Sequence, residues 1–262
     1  PIPNAEDLRK DIPTMGELFK RNGYRCGHVG KWHLGDDEDG TGPLSRGFDV
    51  NVAGGRAGTP YSYYYPYCNN KGMCHIGLEK GKQGEYLTDR LTDEAVAFIK
   101  ESAHGEKPFF LYLAHHAVHT PITAPQSIVD KYEKKAKGKY HTNSVYAAMV
   151  ETLDNSVGKI CGIIDSLGIS DNTIIIFNSD NGGSEPITDN YTVRGGKGMP
   201  YEGGNRVPLI VKWPNVTKAG GVSDCPVNNI DFFSTFQMYL EGKIGDELDG
   251  TDIYPLLNNE KS

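Results

Sequence analysis

The sequence predicts an α/β fold, a mainly parallel sheet flanked by helices, and three observations carry that expectation. Short apolar runs rich in β-branched and aromatic residues alternate with stretches of helical period, the β-α-β order that builds parallel sheets. The run 173–177 follows Asp171-Asn172 and stops in the polar turn Asn178-Ser179-Asp180-Asn181-Gly182-Gly183, which reads as a fully buried strand. The stretch 142–168 places Val145, Met149, Leu153, Val157, Ile160, Ile164 and Leu167 at alternating three- and four-residue steps, the apolar stripe of a helix.

After an extended, Pro-containing start, Thr14-Met15-Gly16-Glu17 spells a capping box that opens a short helix, and Asn22-Gly23 ends it. The segment 24–29 has the composition of a strand, and the turn 30–35 after it holds Lys31 and His33. Two residues apart in extended backbone, those two side chains point the same way. The alternative is that Trp32 and Leu34 pack while the Lys and His are merely solvated. From 35 to 84 no period is held for long, and a connection of that length in a compact domain is either functional or disordered. Its tyrosines, Tyr61, Tyr63, Tyr64, Tyr65 and Tyr67, either offer flat faces to a sugar or aryl group or pack the loop onto its own domain. Cys68 and Cys74 sit close enough within it for a small disulfide.

Order returns over 85–100, where Leu87, Leu91, Ala95 and Phe98 share one helical stripe. Lys107-Pro108 introduces a second buried strand, 109–113, with His115, His116 and His119 just past its end. Beyond the central strand, the flexible loop 194–198 carries Lys197, the segment 202–206 leads into a strand over 207–213, and a last helix covers 231–240. Asp180 and Asn181 are hard oxygen donors at a strand's carboxyl end, suited to Ca²⁺ or Mg²⁺, or else a capping Asp and a turn-forming Asn-Gly. In a parallel sheet, Lys31, His33, His119, Asp180 and Asn181 all reach one edge, and Lys197 closes over it. Two ammonium groups, two imidazoles and a hard-cation site describe a pocket for a tetrahedral oxyanion ester.

Composition bounds the partners. A formal charge of -7 argues against a nucleic-acid-binding surface, and the basic cluster of the chain, 131–139, reads as a solvated helix end or loop. No apolar run approaches the roughly 18 residues of a membrane span. The five cysteines form no zinc pattern, and nothing in the sequence fixes an oligomeric state.

Four motifs together resemble the sulfatases. Residues 23–35 are similar to that family's G-K-W-H-L-G signature, with Cys26 where Ser or Thr is usual. Residues 109–121 resemble its strand-and-histidine segment, with Val118 in place of Pro. The stretch 171–182 looks like its metal strand, and 194–214 like its R-G-G-K-G segment running on to a W-P pair. The motifs stand in the family's order and cover nearly the whole chain. The resemblance implies an alkaline-phosphatase-like α/β core and hydrolysis of an aryl or, preferentially, a carbohydrate sulfate. It implies Asp180 and Asn181 as calcium ligands and Lys31 and Lys197 as the sulfate's cations. By the same resemblance, His33 is the base, His119 protonates the leaving oxygen, and His116 with His115 lies on the substrate side or behind it. A periplasmic, secreted or lysosome-like compartment is expected on the same grounds.

One family feature has no counterpart here. None of the cysteines stands in the C-x-[PA]-x-R pattern whose Cys becomes the formylglycine nucleophile. The resemblance therefore implies a partial catalytic domain over 1–262, with a long substrate-side loop at 35–84. The nucleophile and an Asp pair for the calcium are expected in a preceding segment, and a small C-terminal subdomain beyond the chain. This chain alone is expected to be inactive. The competing readings are a phosphonate or phosphodiester hydrolase of the same superfamily and a non-catalytic, oxyanion-binding remnant.

Overall fold

A computed structural model describes residues 7–258, so the extended start falls mostly outside the described residues. The first helix, α1 (Met15–Arg21), opens on the capping box that its sequence spells: the Thr14 hydroxyl accepts the Glu17 N–H at 3.2 Å, and the Glu17 carboxylate accepts the Thr14 N–H at 2.9 Å. It leads into β1 (Arg25–Gly30), the middle strand of a three-stranded parallel sheet ordered β2-β1-β3, with β2 at Val50–Val52 and β3 at Phe109–Ala114. Flanked on both edges, β1 buries five of its six residues.

Helices α2 (Leu87–Ala103) and α3 (Gln126–Glu133) each pack on α4 (Ser144–Ser166), and the apolar stripes read from sequence contribute Leu87, Leu91 and Met149, which are fully buried. That cluster takes in Val29 of β1 and reaches into the long loop through Tyr63 and Tyr67. A second cluster joins Leu18, Phe19, Cys26 and Phe48 to Trp213 and to Phe236 of α6 (Ile230–Glu241). β4 (Ile175–Asn178) and β5 (Leu209–Lys212), with the short α5 (Glu202–Asn205) between them in sequence, pack on this second cluster through Ile176 and Val211; α7 (Tyr254–Leu257) follows α6.

The structure corrects three expectations. β4 and β5 do not extend the parallel sheet; they form a separate antiparallel pair with Ile175 opposite Lys212 and Asn178 opposite Leu209. A parallel neighbour needs a crossover, usually a full helix, and the connection 179–208 contains only the single turn of α5. β4 is half-buried along its length rather than fully buried, because it has one ladder partner among the described residues. β3 is half-buried as well, with Tyr112 47% exposed, since among the described residues β1 alone pairs with it, on one edge. The loop 35–84 also holds two elements that periodicity passed over, β2 and a 3-10 turn at Leu44–Arg46, each too short to show a period.

Candidate active site

The turn after β1 is gripped from two sides. Gly30 has φ +108°, and a Cβ there would stand 2.0 Å from the Ala114 carbonyl oxygen, so only glycine lets β1 and β3 close at this level. The Lys31 N–H donates to that same carbonyl at 2.7 Å. From below, the fully buried His28 ring contacts the Lys31 carbonyl at 3.2 Å through one nitrogen and the Asn51 amide oxygen at 3.3 Å through the other. Burial pushes His28 down to about 4, so the ring is neutral and donates to one of these two oxygens while it packs between β1 and β2.

His33 is not in extended backbone. It sits at φ +62°, donates its N–H to the Gly55 carbonyl at 2.9 Å, and lays its ring where a Cβ on Gly58 would stand 2.4 Å from Nε2. The same-side argument for a Lys-x-His pair therefore does not apply. The two residues nevertheless share one electrostatic neighbourhood. Burial, then Lys31, His119 and Lys197, hold the His33 imidazole below its ordinary pKa. Lys31 is lowered chiefly by burial, with Asp180 opposing and Lys197 adding to the shift. Lys31, His33, His119, Asp180 and Lys197 thus come together from four separated segments. The ion-paired lysines among the described residues are Lys20, Lys131, Lys137 and Lys159, which leaves Lys31 and Lys197 without a carboxylate at salt-bridge distance.

Lys197 is placed by backbone packing that three glycine pairs permit. A Cβ on Gly182 would lie 1.7 Å from the Gly203 oxygen, one on Gly203 1.8 Å from the Gly195 oxygen, and one on Gly196 2.5 Å from the Gly183 oxygen. The Lys197 N–H donates to the Gly183 carbonyl at 2.9 Å. Asn190 ties the knot, accepting the Gly183 N–H at 3.0 Å and donating to the Gly183 and Gly195 carbonyls at 3.0 and 3.1 Å. The loop between β4 and β5 is thereby fixed to the strand end that carries Asp180.

The three histidines after β3 separate. His119 contacts the Thr120 carbonyl at 2.8 Å through Nδ1, a bond in which Nδ1 donates, leaving Nε2 as an acceptor in the neutral ring. His115 turns to α4, where Nε2 meets the Ser156 hydroxyl at 2.8 Å, and burial lowers it to about 4. His116 is 3% exposed, lies 4.8 Å from the His75 ring, and has neither ring nitrogen paired among the described residues. Burial drives it to about 2. The structure buries it within electrostatic reach of Lys31 and His119. Its carbonyl and that of His119 both accept from the buried Tyr63 hydroxyl, at 3.0 and 2.9 Å.

Asp180 is exposed, and Asn181 donates its amide to the Gly182 carbonyl at 3.0 Å, which leaves its side-chain oxygen as an acceptor. Both are hard oxygen donors of the kind calcium takes. Calcium takes roughly six to eight such ligands, and no cluster of three or more metal-ligating side chains occurs among the described residues. The donor chemistry fits calcium and the donor count does not complete a site.

Sequence reasoning passed over His28, Asn51 and the glycine pairs. No alternation marks His28, because β1 is buried at five of its six residues and both of its faces are covered.

Comparison with known proteins follows the same lines. A sequence profile described as Sulfatase matches residues 1–241. A sulfatase of Formosa agariphila is 38% identical over 190 residues, covering 67% of this chain and 34% of the relative. The N-acetylgalactosamine-6-sulfatase of Mus musculus is 34% identical over 279 residues, covering 98% of this chain and 49% of the relative. The crystal structure of Ps i-CgsB in complex with k-i-k-neocarrahexaose superposes with a TM-score of 0.83 at 32% identity, covering 98% of this chain and 60% of that one. The chain spans less than half the length of these two relatives.

Proposed function

The chain belongs to the sulfatase family, and from that premise we propose that the full-length protein hydrolyses sulfate esters of carbohydrates. The observation that carries the reading is the convergence of two lysines with no ion pair among the described residues, Lys31 and Lys197, with His33, His119 and Asp180. A tetrahedral sulfate between the lysines meets two positive charges at once. Each is worth about 4 kcal/mol at ~4 Å and an effective dielectric near 20, before desolvation.

His33, held below its ordinary pKa, is neutral near pH 7 and offers a proton-accepting nitrogen beside the anion. His119, oriented through Nδ1, presents Nε2 to receive a proton and pass it to a departing sugar oxygen. Asp180 and Asn181 would hold calcium, which when bound polarises the sulfate oxygens. The described residues fall short of the roughly 8–23 kcal/mol by which enzymes lower barriers, because a positioned nucleophile supplies much of it. We place that nucleophile, a formylglycine, and the remaining calcium ligands in sequence outside these 262 residues. The Cys68–Cys74 disulfide supports an oxidising, periplasmic, secreted or lysosome-like compartment.

The test is hydrolysis by the full-length protein of a sulfated oligosaccharide against a phosphonate ester. Lys31→Ala and Lys197→Ala are each expected to lower kcat/KM for the sulfate by about 10²–10³, the usual loss for one preorganised charge donor. Preference for the phosphonate ester, or undiminished rates in both variants, overturns the reading.

A further inference from the structure

Tyr63 and Tyr67 of the long loop are buried, while Tyr191 and Tyr201, in the loop that carries Lys197, stay on the surface. Tyr191 is 59% exposed and stacks on Tyr140 with ring centroids 4.0 Å apart and planes 11° from parallel. Lys139 lies over the Tyr140 ring at 4.9 Å. In the same loop, the Arg194 guanidinium sits 3.9 Å over the Tyr201 ring, which is 40% exposed, so this pair brackets Lys197 in sequence. The stack bridges two parts of the chain, since Tyr140 belongs to the connection between α3 and α4. Asn190, next to Tyr191, is the residue that locks the loop to Gly183 and Gly195. These rings are therefore held in fixed relation to the backbone that positions Lys197.

An exposed ring with one face stacked and its other side in water is a ready surface for the C–H face of a sugar. A cation beside it selects a ring bearing an anionic group. None of Lys139, Arg194 and Lys197 closes an ion pair with a carboxylate among the described residues. An acidic chain of net charge -7 that keeps such a basic, aromatic rim is not simply basic all over.

We propose that Tyr191 on Tyr140 with Lys139, together with Arg194 on Tyr201, forms a second saccharide subsite. It takes a non-reacting ring of an oligosaccharide that carries more than one sulfate. The inference deepens the proposed function and rests on it for the identity of the reacting group, but its own test needs no turnover.

Affinity electrophoresis of the full-length protein through gels containing ι-carrageenan, chondroitin sulfate or heparin reads the subsite directly. At least one of these glycans is expected to retard the protein. Tyr191→Ala should weaken that retardation roughly tenfold in apparent Kd, about 1.4 kcal/mol, and Tyr191→Phe should restore it by keeping the ring. Polyacrylate, which has charge but no rings, should retard wild type and Tyr191→Ala alike. No retardation by any of the three glycans, or equal retardation of wild type and Tyr191→Ala in them, overturns the subsite. A protein that hydrolyses no sulfate ester yet shows the Tyr191-dependent retardation would overturn the sulfatase reading and leave the subsite standing.

Discussion

Two stretches of this chain are built from the same residues, Gly, Tyr, Asn and Asp, and they are fastened in opposite ways. The loop 35–84 is held by side chains. Tyr63 and Tyr67 are fully buried, Tyr63 stacks on Tyr86 at 5.6 Å, and the Tyr67 hydroxyl donates to Glu85 at 2.6 Å. Arg46, 2% exposed, pairs with Glu17 at 2.8 Å, and Arg56 gathers Asp7, Asp36 and Asp39. The loop 179–206 is held chiefly by its backbone, through glycine pairs that meet at distances no Cβ would tolerate, with the Asn190 amide adding a side-chain tie. A loop that spends its side chains on anchorage has few left to display. A loop anchored by main chain keeps Lys197, Tyr191 and Arg194 free to face a ligand.

The hardest blow to the comparison would be a harmless truncation at Tyr63. Tyr63→Ala is expected to cost about 3–5 kcal/mol in chemical denaturation, as large aromatic deletions from cores do. Tyr63→Phe keeps the packing and takes the hydroxyl donor from the His119 carbonyl, while the His116 carbonyl keeps the His119 N–H at 2.8 Å, for about 1–3 kcal/mol. A loss below 1 kcal/mol for the alanine variant would show that the first loop is not fastened by its side chains.

Acid sharpens the same contrast, because His75 belongs to the first loop. It is 4% exposed, accepts the Tyr61 N–H at Nε2, and is pushed down by burial to about 4. Its folded pKa lies below the unfolded value near 6.5, so the unfolded chain binds the proton first. The stability His75 contributes is complete above pH 6.5 and is lost as pH falls from there toward 4. Between pH 7.5 and 5 that linkage amounts to about 2 kcal/mol. Urea midpoints for His75→Asn should fall less steeply over this range than those of wild type, and equal slopes would remove His75 from the acid response.

How much of this was legible depended on what fastens each piece. Helices α1, α2, α4 and α6 announce themselves, since a capping box and apolar stripes are local signals that the packed core only reinforces. The pairing of β4 with β5 was not legible, because strand direction is set by the path of the connection 179–208 and not by the composition of either strand. At the site, residue types and order pointed to Lys31, His33, His119, Asp180 and Lys197. The reason given for Lys31 and His33 was wrong in geometry, since His33 adopts a left-handed conformation that no spacing rule reveals. The burial of His116 was also out of reach: its neighbours His75 and Tyr63 arrive from the long loop, tens of residues away in sequence. The tyrosines divided the same way, and only their partners decide which go in.

The smallest effect is the most discriminating. Tyr191 is as aromatic as Tyr63 and makes a closer stack, 4.0 Å against 5.6 Å, so a count of ring contacts would rank it at least as high. Burial ranks the two the other way, 59% exposed against 1%. Most of what an aromatic side chain contributes comes from area withdrawn from water, and Tyr191 withdraws little. An aromatic pair adds about 0.5–1.5 kcal/mol beyond that area, and an exposed pair belongs at the lower end. Tyr191→Ala is therefore expected to shift stability by about 0.5 kcal/mol, within the usual range for a surface substitution, with the urea slope unchanged. A loss comparable to that of Tyr63→Ala would mean that the second loop also leans on its side chains. The glycine knot would then not be what holds Lys197 beside Asp180, and the rings around it would not be spare for a ligand.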